Sequence, residues 1–154
     1  MKIGIIGSRR RASETDLIIL ERKFVDILRK HYPNIDNEGS NLKKVLKNLT
    51  IVTGDCEEGG DFFALYLSTI YRCKLDVKYK KNEKTGEKAS KLYLRNCGYY
   101  AFTRVCYSRN KEVAKEALHY LLALVSKDRT GGTENTIGYF KKYHEDWERK
   151  LILL

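Results

Sequence analysis

Residues 2–9 read Lys-Ile-Gly-Ile-Ile-Gly-Ser-Arg, a short β-branched run that Gly7 ends and a polar turn follows. A run of this kind reads as a strand, and the glycine marks where the chain leaves it. Behind the turn, Ser13 stands three residues ahead of Asp16, and Leu17, Leu20, Phe24, Ile27, Leu28 and His31 follow at helical spacing. Ser13 and Asp16 have the outline of a capping box, so a helix is expected to start here and to end before Pro33. The same unit recurs twice. Leu49 to Thr53 is a second β-branched run, stopped by Gly54 and the loop Asp-Cys-Glu-Glu-Gly-Gly, after which Asp61 opens a helix carrying Phe62, Leu65, Tyr66, Thr69 and Ile70. His119 to Ser126 is the most apolar segment and reads as a central strand; Lys-Asp-Arg-Thr-Gly-Gly-Thr-Glu-Asn-Thr follows at 127–136, with a helix expected from Thr133 to Glu145.

The remaining segments fit around these units. Residues 34–41 are polar and read as a surface loop, with a short helix over Leu42 to Asn48. Lys74 to Lys80 alternates apolar and basic residues, which suits an edge strand. From Lys88 to Ala117 the spacing predicts helix, with breaks near Cys97-Gly98 and near Ser108, and the closing Lys-Leu-Ile-Leu-Leu reads as a fifth strand. Strands separated by helices imply βαβ units. The expected fold is therefore α/β: one domain over residues 1–154, three-layered and Rossmann-like, with a mainly parallel sheet of about five strands between helices.

Composition narrows the class. At 154 residues with 42% hydrophobic side chains and a single proline, the chain can bury one core and does not resemble a disordered or fibrous sequence. Its longest apolar runs fall far short of the roughly 20 residues of a membrane helix, and Gly7 and the arginines after it cut off the apolar start that a secretory signal needs. A cytosolic location is expected. Cys56, Cys73, Cys97 and Cys106 form no Cys-x-x-Cys pair and read as free, partly buried thiols, with no metal site. A net charge of +10 implies an anionic partner: a nucleotide, a nucleic acid or an acidic protein.

The glycine-rich turns carry the chemistry. All three follow a strand and precede a helix, so a parallel sheet would bring Gly7-Ser8-Arg9, Thr53 to Asp61 and Arg129 to Thr136 to one edge. Helix N-termini there present unpaired N–H groups, and anions bind them readily. Glycine allows the backbone to approach an oxygen ligand closely, while Ser8, Thr53, Thr130, Thr133 and Thr136 can donate hydroxyl hydrogen bonds and Arg9 a bidentate contact. Neither Gly-x-x-x-x-Gly-Lys-Ser/Thr nor Gly-x-Gly-x-x-Gly is present, which removes the ATPase and NAD-dehydrogenase readings.

Gly-Ile-Ile-Gly-Ser-Arg at 4–9, Val-Thr-Gly-Asp-Cys-Glu-Glu-Gly-Gly-Asp-Phe-Phe-Ala at 52–64, Arg-Asn at 109–110 and Gly-Gly-Thr-Glu-Asn-Thr-Ile at 131–137 resemble, in this order, the motifs of the SLOG superfamily, and most closely its YspA/YpsA-related branch. That superfamily also includes the Lonely Guy phosphoribohydrolases, the molybdenum cofactor carrier proteins and DprA. The resemblance implies a Rossmann-like domain holding a nucleotide or nucleotide derivative, and, since family members commonly self-associate, a homodimer; no cofactor beyond that ligand is assigned. By position, Gly7, Ser8 and Arg9 would line one wall of the site and Thr53, Gly54 and Asp61 a second. Asp55, Gly59 and Gly60 lie in the same second loop, and Thr130 and Gly131 lead into Gly132, Thr133 and Thr136, which would cradle a phosphate. Arg109 and Asn110 match the Arg-Asn that precedes the apolar strand. The second loop is one residue longer than the family's, and Asp55, Glu57 and Glu58 stand where small or basic residues are usual. Facing a phosphate they would repel it, so they would instead meet a ribose, a base edge or a metal, or point to solvent.

Three functions remain. The first is a module that senses or sequesters a nucleotide derivative. The second is a Lonely Guy-type hydrolase of the N-glycosidic bond, against which the sequence departs from Pro-Gly-Gly-x-Gly-Thr-x-x-Glu: Thr136 stands where the glutamate would be, and Glu134 is displaced two positions, about 200° around a helix. Asp55, Glu57 and Asp61 are its candidate substitutes, although acidic residues near a helix start commonly serve as caps, and Cys56 has no assignable His or Asn partner. The third is single-stranded nucleic-acid binding through residues 74–95, where eight Lys/Arg stand against three Asp/Glu and Tyr79 and Tyr93 lie among them. Tyr66, Tyr71, Tyr99, Tyr100, Tyr107 and Tyr120 are expected to pack, as is most of the stripe Tyr139, Phe140, Tyr143 and Trp147 on the last helix, with a dimer interface as its lesser use. His31, His119 and His144 share no spacing and carry no assigned role.

Overall fold

Strand β1 (Lys2–Gly7) lies at the centre of a five-stranded sheet in a computed structural model that describes residues 1–33 and 40–154. Its neighbours are β2 (Thr50–Thr53) on one side and β4 (Tyr120–Leu124) on the other; β3 (Lys74–Val77) and β5 (Leu151–Leu153) form the edges, giving the order β3-β2-β1-β4-β5. Every pairing is parallel. Along β1, Ile3 and Ile5 point to one face and Gly4 and Ile6 to the other, and the helices divide accordingly.

On the first face pack α1 (Glu14–His31), α2 (Ser40–Lys47) and α3 (Gly60–Ile70), through Leu20, Phe24, Ile27, Leu46, Phe63 and Leu67. The second face is covered by α5 (Gly98–Glu116) and α6 (Gly132–Tyr143), through Val113, Ala114, Ile137 and Phe140. Gly4 is required here: a Cβ on it would stand 2.6 Å from that of Ala117, so its absence lets the end of α5 reach the sheet. The short helices α4 (Lys91–Asn96) and α7 (Trp147–Lys150) complete the chain. No helix among the described residues is long and apolar enough to cross a membrane.

The expected α/β architecture is present, with β3 at an edge and the capping box of α1 formed: the Ser13 hydroxyl accepts from the Asp16 N–H, and the Asp16 carboxylate accepts from the Ser13 N–H. The loop expected over 34–41 lies outside the described residues as far as 39, and Ser40 and Asn41 already belong to α2. Three other expectations are corrected. Ser108 does not break α5, because Val105 and Val113 keep one apolar face in register through it. The last aromatic stripe is divided: α6 ends at Tyr143 and Trp147 begins α7. Tyr66, Tyr99, Tyr100 and Tyr107 are exposed, whereas Tyr71 packs edge-on against Phe24 and Tyr120 is buried with its hydroxyl against His31.

The topology fixes where a site can form. From β1 the chain winds outward through β2 and β3, then returns to lay β4 against the opposite side of β1. Loops leaving the carboxyl ends of β1 and β4 therefore diverge to opposite faces and open a crevice between them. The last ladder bond before they separate runs from the Ser8 N–H to the Leu124 carbonyl, at 2.9 Å.

Candidate functional site

A cleft of about 460 Å³ occupies this crevice. Its floor is the end of β1, with Ile6, Gly7 and Ser8; its sides are the second and third glycine loops, and α5 runs along its length.

Two helices begin with the same device, α6 at the cleft and α3 beside it. The N-caps of α3 and α6 are Gly59 (φ 66, ψ −144) and Gly131 (φ 91, ψ −159), a region of backbone space nearly closed to other residues, and each is followed by a second glycine. Glycine has no side chain with which to cap, so the first-turn N–H groups of Gly132, Thr133 and Glu134 have no acceptor among the described residues. Gly60 does a different job. A Cβ there would fall on the Ile6 and Gly7 backbone, closer than real contacts allow, so the residue lets α3 start directly on the end of β1.

A partly buried charge cluster ties the second loop to α5. The Asp55 carboxylate accepts from Lys80 Nζ at 2.6 Å and from an Arg109 terminal nitrogen at 2.8 Å. Arg109 turns its other nitrogens to Asn110 Oδ1, at 2.7 and 3.1 Å, and Asn110 donates in turn to the Gly132 carbonyl at 3.2 Å and to Asn135 at 3.1 Å. One chain of hydrogen bonds thus runs from the second loop through α5 to the third. Asp61 lies 3.6 Å from Arg109 and accepts from the Cys56 N–H. Burial alone would push the Asp55 carboxyl up, but the hydrogen bonds from Lys80 and Arg109 outweigh it and hold the group below the usual carboxylate range. Asp61 is more deeply enclosed, and burial pushes its carboxyl up despite Arg109.

The first and third loops are pinned together by Asp128, which accepts from Ser126 Oγ at 2.7 Å and pairs with Arg10. Ser126, Arg10 and Thr130 together draw its pKa down to about 2. Arg9 donates Nε to Cys56 Sγ at 3.3 Å, a contact that raises the already high pKa of the guanidinium.

Of the residues expected at the site, Gly7, Ser8, Arg9, Gly54, Asp61, Arg109, Asn110, Thr130, Gly131, Gly132, Thr133 and Thr136 line the cleft. Thr53, Asp55, Gly59 and Gly60 do not. Thr53 is buried and spends its hydroxyl on the Ile5 carbonyl, at 2.8 Å, which locks β2 to β1. Asp55 is committed to Lys80 and Arg109, and Glu57 and Glu58 are exposed. Glu134 pairs with Arg129 at 2.6 Å and is not part of the lining. Little in the amino-acid pattern pointed to Lys80, one of seven lysines between 74 and 91, or to Tyr99, Phe102, Thr103, Cys106 and Tyr107 on α5. In the lysine-rich segment, Lys78, Lys80 and Lys81 pair with Asp76, Asp55 and Glu112.

No group of three or more His, Cys, Asp or Glu among the described residues could hold a metal ion. His31, His119 and His144 each make a structural hydrogen bond, to Tyr120, to the Lys2 N–H and to the Ala114 carbonyl. The four cysteines are free and half-buried. Chemically, the cleft offers open N–H groups at a helix start, hydroxyls, Arg9, and the cations Arg10, Lys80 and Arg109, which are already paired with Asp128 and Asp55, beside the lining carboxylate of Asp61. No protein-family model, curated protein or solved structure matches the chain.

Proposed function

We propose that the cleft binds a nucleotide or nucleotide-derived ligand by its phosphate, and that the protein is a sensing or sequestering module of the SLOG type. One observation carries this reading. The uncapped Gly131-Gly132 start of α6 opens into the same crevice as the ends of β1 and β4, with the Arg9 side chain in the same lining. A helix start with open N–H groups attracts an anion through both hydrogen bonds and the helix dipole. The cleft is of a size suited to a small ligand, since such pockets span roughly 300–1,000 Å³. The ordered resemblance of residues 4–9, 52–64, 109–110 and 131–137 to SLOG motifs supports a nucleotide over other phosphate esters.

Holding is favoured over cleavage because Glu134 is turned to Arg129. The hydrolase reading retains one supporting feature: Asp61 lines the cleft, and burial keeps its carboxyl protonated to higher pH than usual, as a general acid requires. Mass spectrometry of small molecules released from the purified native protein tests the first reading, with Gly132→Asp as the control. A nucleotide derivative enriched with the native chain and lost with the variant is expected; identical profiles from both would refute it. Incubation with nucleoside monophosphates followed by chromatography decides between the two readings, since release of free base would establish hydrolysis.

A further inference from the structure

The far end of the cleft differs from the end at Gly132. Along α5, Tyr99, Phe102, Thr103, Cys106, Tyr107 and Asn110 line it from one continuous helical face. Asn110, at the inner end, is buried and bonded to Gly132. Towards the mouth the same face carries aromatic rings that the core does not use: Phe102 is 37% exposed, Tyr107 45% and Tyr99 78%. Solvated helix faces normally carry charged or small polar side chains, and clustered exposed rings beside a cavity mark surfaces that something covers.

The spacing sets what that is. At about 1.5 Å of rise per residue, Tyr107 lies about 5 Å and Phe102 about 12 Å along the helix from Asn110. Side chains lean toward the N-terminus of their helix, which carries both rings further from the phosphate end. A ligand anchored at Gly131–Thr133 and running along α5 would thus pass from a cationic, amide-rich region to an aromatic one. A phosphorylated sugar alone has nothing to place on the rings.

Resting on the reading of the cleft as a nucleotide site, we propose that Phe102 and Tyr107, about 140° apart around α5 and so on the two flanks of its cleft face, form stacking walls on either side of the base, which makes the ligand class a nucleoside monophosphate or an equally aromatic phosphate ester. Thr103, one turn before Tyr107, offers a hydroxyl to a base edge. Phosphate affinity resides at the start of α6, whereas discrimination for an aromatic group resides on α5.

The test is isothermal titration of the full chain with four probes: the common nucleoside monophosphates, ribose 5-phosphate, inorganic phosphate and a ten-residue oligothymidylate. At least one nucleoside monophosphate should bind roughly 5- to 150-fold more tightly than ribose 5-phosphate, the range expected of stacking. The double variant Phe102→Ala/Tyr107→Ala should lose that advantage and keep the affinity for ribose 5-phosphate, and Phe102→Tyr/Tyr107→Phe should restore it. Circular dichroism melting of each variant separates lost contacts from lost fold. Equal affinity of the native chain for ribose 5-phosphate and every nucleoside monophosphate would overturn the stacking wall and leave the phosphate site standing. If no monophosphate probe binds, both readings fail; tight oligothymidylate binding without mononucleotide binding would assign the rings to a nucleic-acid surface instead.

Discussion

Replacing Gly132 by Asp should weaken binding without a loss of stability. A Cβ at Gly132 meets only Asn110 Nδ2, at 3.5 Å, an ordinary van der Waals contact, and the residue is not among the glycines with positive φ. The side chain therefore fits. A carboxylate in the first turn of α6 interacts favourably with the helix dipole by about 0.3–1 kcal/mol, and the unfolded chain loses some of glycine's freedom, so the thermal midpoint should stay or rise slightly. Binding responds to charge. At about 5 Å and an effective dielectric constant of about 20, two like unit charges repel by about 3 kcal/mol, which corresponds to roughly 150-fold weaker binding. Gly132→Ala adds the same Cβ without the charge and should lose far less. The assay is calorimetric titration with inorganic phosphate and adenosine 5′-monophosphate, beside thermal melts of all three proteins. A folded Gly132→Asp protein that binds either anion as well as the native chain would refute the placement of the phosphate.

Three further outcomes follow from the packing. Asp55→Asn removes the negative charge shared by Lys80 and Arg109 while keeping one acceptor oxygen; for a partly buried cluster the loss should be about 3 kcal/mol, toward the low end for such pairs because Asp61 remains near Arg109, and a urea denaturation midpoint reads it. Gly60→Ala drives a methyl into the Ile6–Gly7 backbone and should cost about 1–3 kcal/mol in the same measurement, with an altered cleft seen as weakened phosphate titration. The pH dependence has two signs. Asp16 and Asp55 have folded pKa values below the ordinary 3.8, so their contribution is full above that value and is lost as pH falls through the folded ones. Asp61 is raised, so its contribution is full below 3.8 and is lost as pH rises through the folded value; denaturation midpoints of Asp61→Asn should gain on the native chain with rising pH and match it at low pH.

Most of the sheet was legible because its information is local. Leu49–Thr53 and His119–Ser126 are apolar runs bounded by glycine or polar turns, and their alternation with helices leaves few topologies. The edge position of β3 was legible for the same reason, since charged residues alternate with others through Lys74, Asp76, Lys78 and Lys80. What was hidden depends on contacts across the chain. Arg109 and Asp55 are 54 residues apart, and no spacing reveals that one donates to the other. Thr53 carries a hydroxyl at the end of a strand beside a glycine loop and so reads as a ligand donor, but the neighbouring strand supplies an acceptor first. Tyr99, Tyr100 and Tyr107 read as packing residues because a helical period shows that side chains share a face without showing what that face meets. Helix α7 spans four residues, too few for a period to register.

The most direct measurement is a titration of the isotopically labelled full chain with adenosine 5′-monophosphate, followed by backbone amide chemical shifts. The largest changes should fall at Ser8–Arg10 and at Gly131–Glu134, with a second group along the cleft face of α5 from Phe102 to Asn110. Changes confined to residues 74–95, or absent from the start of α6, would contradict a phosphate site at the carboxyl edge of the sheet.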